Sequence, residues 1–225
     1  MNIRTDIERS QVKNAQEEFE MAESKLDSVL QYTRERDDPN HADCFVDAQR
    51  CIERTTKAIF KLMDVDHPNK HSISPESQKG RDLLNAISDE VTSLDYPQLV
   101  RGTLTERDIR DIHVRAVSRL MFLCEMYGDM YTIAYYGINE PDIQLLPNQI
   151  VDDGEYESIL ESAVSALRIS DAVINSISTG ELPRTRRPSG LEGPMEDRSG
   201  IKGAHYGIGK QFTEHDPVSQ YRRQL

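Results

Sequence analysis

The sequence predicts an all-α fold, an antiparallel bundle of about five helices over residues 1–180, followed by a disordered tail over residues 181–225. Apolar residues recur at alternating spacings of three and four along most of the first 180 positions, which is the period of an amphipathic helix. No segment alternates apolar and polar residues as a half-buried strand does. Beyond Gly180 the apolar period stops and the composition changes.

The first two helices are predicted over residues 11–33 and from Asn40 onward. Pro39 ends the first helix, because proline disfavours helical geometry in itself and in the preceding residue. Asn40 is a suitable N-cap for the second helix. The short break between the helices predicts an antiparallel hairpin. Their apolar positions are Val12, Ala15, Phe19, Ala22, Leu26, Val29 and Thr33, then Phe45, Ala48, Ile52, Thr55, Ile59 and Leu62.

The third helix follows a polar loop that runs from Asp64 to Ser74. Ser74 is its predicted N-cap, Pro75 its predicted first helical residue, and Tyr96 follows its end. The inward positions of this helix are Leu84, Ile87, Val91 and Leu94.

The fourth and fifth predicted helices carry the longest apolar stripes after the helical hairpin formed by the first two. Thr105 and Asp108 predict a capping-box-like start for the fourth helix, and Gly137 predicts its end. Residues 138–152 are predicted as a loop, and the fifth helix runs from about Asp153 to Gly180. The inward positions are Ile109, Ile112, Ala116, Leu120, Leu123, Tyr127, Met130 and Ala134, then Tyr156, Ile159, Ala163, Ala166, Ser170, Val173 and Ile177.

The chain is strongly acidic, with 39 Asp and Glu against 27 Lys and Arg and a net charge of −12. Such a surface argues against general electrostatic docking on nucleic acid or on an anionic membrane. Of the basic residues, 19 are Arg and 8 are Lys, a balance that suggests a halophilic protein, with Arg-rich codon usage as the alternative. No secretory signal or membrane span is expected, and three cysteines fit a cytoplasmic location.

The tail differs in charge from the rest of the chain. Residues 181–225 hold 8 basic and 6 acidic residues, a net of +2, so the predicted bundle carries −14. Because the tail has no periodic apolar face, it is predicted to be disordered. Its basic cluster at residues 184–187 is either a contact for phosphate or a partner, or simply a solvated segment.

Motifs for cofactors and metals are weak. The loop residues Asp64, Asp66, His67 and His71 include metal-ligand types but lack a recognised spacing, so a polar connector is favoured. Two cysteines, Cys44 and Cys51, lie on one helical face and are predicted to be small core residues, since they lack a metal-binding or redox spacing. The third, Cys124, is distant in sequence. No phosphate loop, nucleophile elbow or zinc motif is present. We expect no cofactor and no metal.

Tyrosines cluster at the end of the fourth helix. Tyr127, Tyr131 and Tyr135 are spaced four apart and so lie along one helix face, with Tyr136 beside them. This group either packs against the fifth helix, forms a dimer contact, or contacts a nucleotide, since tyrosine offers a large ring with a polar tip.

Helices two to five resemble the HEPN domain, a helical module of prokaryotes that is often encoded beside nucleotidyltransferases. The resemblance covers about residues 11–178 and is carried by an Ala/Gln-rich segment over residues 48–58, in which Glu53 and Lys57 lie four apart. It is also carried by His71 before the third helix and by a fourth helix that ends Tyr135-Tyr136-Gly137. Relatives often have Arg before the final Tyr-Gly, where this chain has Tyr135.

Catalytic HEPN members place an Arg four to six residues before a His. The Arg stabilises phosphate charge, and the His exchanges a proton with an RNA 2′-hydroxyl. Arg107 and His113 lie at the start of a helix with this spacing, so the resemblance implies them as the candidate catalytic pair. Similar spacings occur elsewhere: Arg36 lies five residues before His41, while Arg34 lies seven before His41 and Arg198 seven before His205.

The expected function is a HEPN-like interaction module, non-catalytic or regulatory, in a toxin–antitoxin or nucleotide-related system. Its expected partners are a second copy in a homodimer and a nucleotidyltransferase, with His71 and the four tyrosines as candidate nucleotide or partner contacts. One alternative is a metal-independent HEPN endoribonuclease, in which RNA is the substrate. The other alternative is a helical scaffold without a role in nucleic-acid chemistry.

Overall fold

The computed structural model describes residues 9–36, 40–68, 70–92 and 106–179. The predicted tail of residues 181–225 lies outside the described residues, as do the predicted helix-end residues Leu94, Thr105 and Gly180. In chain order the elements are α1 (Arg9–Glu35), α2 (His41–Leu62), α3 (Gln78–Thr92), α4 (Glu106–Tyr136), β1 (Ile138–Glu140), β2 (Ile143–Leu145), a 3-10 turn (Pro147–Gln149) and α5 (Asp153–Thr179).

The prediction of an all-α bundle with five helices is confirmed for the described part of the chain. Helix α2 lies at its centre and packs against α1, α4 and α5, while α3 packs against α4. This position explains why α2 is buried on nearly all sides rather than along one stripe. Its fully buried large side chains are Phe45, Ile52, Ile59, Phe60 and Leu62.

Two predicted helix ends are confirmed by their hydrogen bonds. The side chain of Asn40 accepts from the backbone N–H groups of Ala42 at 3.1 Å and Asp43 at 3.4 Å, as an N-cap does. At the end of α4, Gly137 adopts a φ of +76° and its N–H donates to the carbonyl of Ile133. A residue with a side chain would be strained there, so glycine suits this position.

The predicted start of α3 is wrong by one turn. The helix begins at Gln78 rather than at Pro75, because Ser77 is the residue whose hydroxyl accepts from the N–H of Gly80, at 3.0 Å. Ser74 instead shapes the turn before the helix, since its Oγ accepts from the N–H of Glu76 at 3.2 Å. A cap needs an acceptor within reach of the first free N–H groups, and two nearby serines compete for that role.

The segment predicted as a loop contains a short hairpin. Strands β1 and β2 pair antiparallel, with Ile138 opposite Leu145 and Glu140 opposite Ile143. Pro141 and Asp142 form the two-residue connection. Strands of three residues are too short to display an alternation that can be read from sequence.

Most of the predicted inward positions are buried, with one correction on α4. Met130 was predicted to face the core but is 36% exposed, and Tyr131 is buried in the core cluster instead. Among the described helices, none combines the length and hydrophobicity that a membrane span requires.

Candidate functional site around His71

Three rings are stacked where the loop before α3 meets the end of α4. The ring of Tyr131 lies 4.2 Å from that of His71, at an interplanar angle of 25°, and 5.7 Å from that of Tyr135, at 10°. We call these three residues the aromatic stack. Tyr136 contacts Tyr135 edge-on at 4.6 Å and is itself 70% exposed. The structure therefore brings together four of the five residues predicted as nucleotide or partner contacts.

Tyr127 lies apart from the aromatic stack. Its hydroxyl bonds to Ser158 Oγ at 3.0 Å and Ser162 Oγ at 3.1 Å, both on α5, and its ring meets Phe45 edge-on. The side chain is buried. Of the alternatives for the tyrosines, Tyr127 follows the one in which the ring packs against the fifth helix.

The imidazole of His71 is oriented by a buried carboxylate. Nδ1 lies 2.8 Å from Oε2 of Glu53, and the other carboxylate oxygen of Glu53 accepts from Nζ of Lys57. Burial alone would raise the pKa of Glu53, but its hydrogen bonds with His71 and Lys57 outweigh that effect, and the pKa is lowered. An ionised carboxylate only accepts, so Nδ1 of His71 is the donor. In the neutral ring, Nε2 then carries the lone pair and can accept a proton.

The main chain of His71 is fixed as well as its ring. Its carbonyl oxygen accepts from Nε2 of Gln49 at 3.4 Å and lies 3.4 Å from the thiol sulfur of Cys124. Helix α4 approaches so closely here that a Cβ on Gly128 would lie 2.4 Å from this carbonyl oxygen. Glycine at this position lets the loop lie against α4, which places the imidazole over Tyr131.

Arg50 lies at the edge of the aromatic stack. Its guanidinium donates to the hydroxyl of Tyr131 at 3.1 Å and is also 3.4 Å from Oδ1 of Asp47. The hydrogen bond with Tyr131 is the main reason why the pKa of Arg50 is raised, so the group stays charged. Asp47 also accepts from Nζ of Lys25 at 3.0 Å.

Basic side chains continue along the same face of α2. They occur at spacings of four, three and four residues, and each is only partly exposed; they are Arg50, Arg54, Lys57 and Lys61. Carboxylates offset this charge, since buried Glu18 accepts from Arg54 and Lys61, each at 2.7 Å. Burial opposes ionisation of Glu18, but these two partners hold its pKa below the ordinary value. The face is a local cationic row on an acidic protein.

Arg107 and His113, the candidate catalytic pair, occupy different environments. Arg107 is exposed and lies 3.8 Å from Asp111, one turn along α4. His113 is 3% exposed; its Nδ1 bonds to the carbonyl oxygen of Ile109 at 2.9 Å and its Nε2 to Oγ of Ser176 at 2.9 Å. Burial lowers the pKa of His113 to about 4, so the ring is neutral near pH 7. Within one protomer the structure does not bring the two side chains together, and their catalytic role stays a prediction.

The candidate metal-binding loop and the three cysteines lie in surroundings typical of structural residues. Within the described residues, no group of three or more His, Cys, Asp or Glu side chains is arranged to hold a metal ion. His67 packs edge-on against Phe60 at 5.2 Å, and burial lowers its pKa to about 4. All three cysteines are buried with free thiols, and burial raises their pKa values.

The outer face of α4 carries a second row of apolar residues, in addition to the inward stripe predicted from the sequence. Its members, Phe122, Met126, Met130 and Ile133, are 55%, 40%, 36% and 40% exposed. We call them the outer α4 surface. Spacings of four, four and three place them on one face, which lies opposite the buried Leu120, Tyr127 and Tyr131. The spacing was present in the sequence, but only one of two apolar faces of α4 was assigned.

Comparisons with protein-family models, with curated proteins and with solved structures gave no match to this chain. Over the described residues, the geometry defines a bundle of five helices with an oriented histidine beside α2 and an apolar outer surface on α4.

Proposed function

We propose that the chain is a HEPN-like helical interaction module, non-catalytic or regulatory, that acts by associating through the outer α4 surface. The observation that carries this proposal is the exposed row of Phe122, Met126, Met130 and Ile133. Contiguous apolar side chains on a surface are typical of an interaction site, whereas single ones are common everywhere. Phe and Met are also enriched at the centres of protein interfaces.

The proposal includes a homodimer as the basic assembly. A nucleotidyltransferase is the second partner, which the HEPN resemblance supports, and a toxin–antitoxin or nucleotide-related system is the proposed setting. The proposed location is the cytoplasm. The acidic composition, with a net charge of −12 and Arg preferred over Lys, supports the further proposal of a halophilic source.

A matched pair of substitutions tests the interaction role. Met126 on the outer α4 surface and Met21 on α1 are both 40% exposed, so changing either to Asp removes a similar exposed side chain. We expect Met126→Asp to shift the chain toward monomer in sedimentation velocity and Met21→Asp to leave the mass unchanged. Equal behaviour of the two variants and the wild type would contradict the proposal.

A second candidate function is a metal-independent ribonuclease, and it is favoured by the oriented imidazole of His71. A histidine held by a carboxylate can exchange protons with a 2′-hydroxyl, and Arg50 beside it can stabilise phosphate charge. Exposed aromatic rings such as that of Tyr135 can stack with bases. The basic side chains on α2 lie along the same face as Arg50, although Glu18 and Glu53 already pair with Arg54, Lys57 and Lys61.

RNA cleavage in excess EDTA tests the second candidate. Loss of cleavage in His71→Gln, with activity kept in Arg107→Ala, would assign the chemistry to His71. Loss in Arg107→Ala and in His113→Asn would assign it to the pair that the HEPN resemblance implies. Absence of cleavage by the wild-type chain across pH 5–8, where histidine titrates, would contradict the enzyme reading.

A further inference from the structure

We infer that the outer α4 surface receives a second copy of this chain with the two α4 helices antiparallel and Phe122 at the two-fold axis. The inference rests on the proposed function, and it adds the partner's orientation and register. It is carried by the positions of two exposed charged residues, Arg115 and Asp129, relative to Phe122.

The three residues form one row along α4. Arg115 lies seven residues before Phe122, and Asp129 lies seven residues after it. Seven residues make nearly two helical turns, so each charge lies about 10 Å from Phe122 along the axis and within about 20° of it around the helix. Both side chains are exposed, so the row presents a cation, an aromatic ring and an anion in that order.

A two-fold axis beside Phe122 makes this row complementary to itself. In the antiparallel arrangement Arg115 meets Asp129 of the partner subunit, and by symmetry the same pair forms a second time. In the parallel arrangement Arg115 would instead meet the partner's Arg115, and Asp129 the partner's Asp129. Like charges in direct opposition disfavour an interface, so the row selects the antiparallel arrangement.

The apolar side chains supply the centre of this interface. Phe122 has the largest exposed fraction of the outer α4 surface, and the axis places it against the partner's Phe122. Met126 and Met130 lie beside it, and the flexible side chain of methionine adapts to an opposing surface. An apolar centre flanked by paired charges is the usual anatomy of a protein interface.

The net charge of −12 opposes this association at long range, because two acidic chains repel each other. Added salt screens that repulsion over distances beyond a Debye length and weakens short contact pairs less. Apolar burial is unaffected by such screening. The dimer should therefore tighten as NaCl is raised from low to moderate concentration.

A charge-swap experiment on the full chain tests the register. The dimer dissociation constant is measured by sedimentation velocity for the wild type, Arg115→Asp, Asp129→Arg and the double variant. We expect each single change to raise Kd about tenfold or more, because it opposes like charges twice, and the double change to restore Kd to within about threefold. Asp129→Arg is the sharper single variant, since it reduces the net acidity and would otherwise favour association.

Mixing the two single variants provides a second readout. A chain carrying Arg115→Asp pairs with one carrying Asp129→Arg through two attractive contacts, so the heterodimer should form in preference to either homodimer. Asp142→Arg, an exposed site on the hairpin connection, controls for the change in net charge and should not weaken the dimer.

The outcomes separate this inference from the proposed function. If Phe122→Asp dissociates the dimer while the charge swaps leave Kd unchanged, the antiparallel register is overturned and the interaction role stands. If the wild type stays monomeric at every concentration and salt level, both self-association and the register are overturned.

Discussion

The imidazole of His71 and the carboxylate of Glu53 meet at 2.8 Å, although one belongs to the loop before α3 and the other to the buried centre of α2. This contact links the loop to the core, because Glu53 is also held by Lys57 one turn along the same helix. The loop in turn presents the His71 ring to Tyr131. One carboxylate thus supports the local fold and sets the tautomer of the candidate site.

Replacing Glu53 by Gln should reduce stability in a pH-dependent way. The pKa of Glu53 in the folded chain is below its ordinary value of 4.5, so its contribution is fully present above that value and is lost as pH falls through the lower, folded pKa. We expect Glu53→Gln to lower the free energy of unfolding by about 2 kcal/mol at pH 7 and by much less at a pH below the folded pKa of Glu53.

Urea unfolding followed by circular dichroism measures this difference. Glu17→Gln is the control, since Glu17 is exposed and forms only an i,i+4 pair with Lys13 at 3.6 Å. That change should cost less than about 0.5 kcal/mol at either pH. A Glu53→Gln deficit of the same size at both pH values would contradict the ionised assignment.

The buried imidazole of His113 should make the protein less stable in mild acid. Burial lowers its pKa to about 4 from the ordinary value of 6.5, so protonation favours the unfolded chain. The stability lost between pH 6.5 and pH 4 is on the order of 3 kcal/mol for this group. His67 has a similarly lowered pKa, so its protonation adds to the loss of unfolding free energy as pH falls.

The variant His113→Asn isolates the contribution of one ring. Its free energy of unfolding at pH 7 should be lower than that of the wild type, because the substitution removes the hydrogen bonds of the ring to Ile109 and Ser176. The unfolding free energy of this variant should fall less steeply between pH 7 and pH 5 than that of the wild type. The fall that remains should come from His67. An unchanged slope would mean that His113 is not buried as a neutral ring.

Adding one methyl group at Gly128 should displace the loop that holds His71. A Cβ there would lie 2.7 Å from the Cα of Ser72 and closer still to the carbonyl oxygen of His71, and both are backbone atoms that cannot move alone. We expect Gly128→Ala to cost about 2 kcal/mol of unfolding free energy. Gly154→Ala, near the exposed start of α5, is the control and should be neutral or stabilising.

The three cysteines should be unreactive in the folded protein. Cys44, Cys51 and Cys124 are each at most 3% exposed, and burial raises the pKa of Cys44 and Cys124 to about 12. The thiolate is the reactive form, so little of it is present at pH 8. Titration with a chromogenic disulfide should detect three thiols in urea and almost none without it. Rapid labelling of a native thiol would show that its helix opens.

Much of the helical architecture could be predicted because amphipathic spacing and end signals are local. Asn40 caps the start of α2 and Gly137 ends α4, each through contacts with residues four or fewer positions away, and both predictions are confirmed. The start of α3 was missed because Ser74 and Ser77 offer equivalent side chains, and only the geometry of the turn decides between them.

The candidate site was less predictable because its contacts join distant parts of the chain. The spacing of Glu53 and Lys57 indicates only a contact within one helix, while the bond from His71 depends on how the loop lies on α2. Arg50 was not singled out, although it contacts Tyr131 from another helix. The spacing of apolar residues in the sequence shows the outer α4 surface as well as the inward stripe. Spacing alone does not determine which of two apolar helix faces is buried.

Association through the outer α4 surface can be tested by the mass of the full chain in solution, measured by sedimentation equilibrium over a wide concentration range. We expect a reversible monomer–dimer equilibrium in the wild type and a shift to monomer in Phe122→Asp, with an unchanged far-ultraviolet circular dichroism spectrum. A wild-type chain that stays monomeric throughout, or a Phe122→Asp variant that dimerises as well as the wild type, would contradict this association.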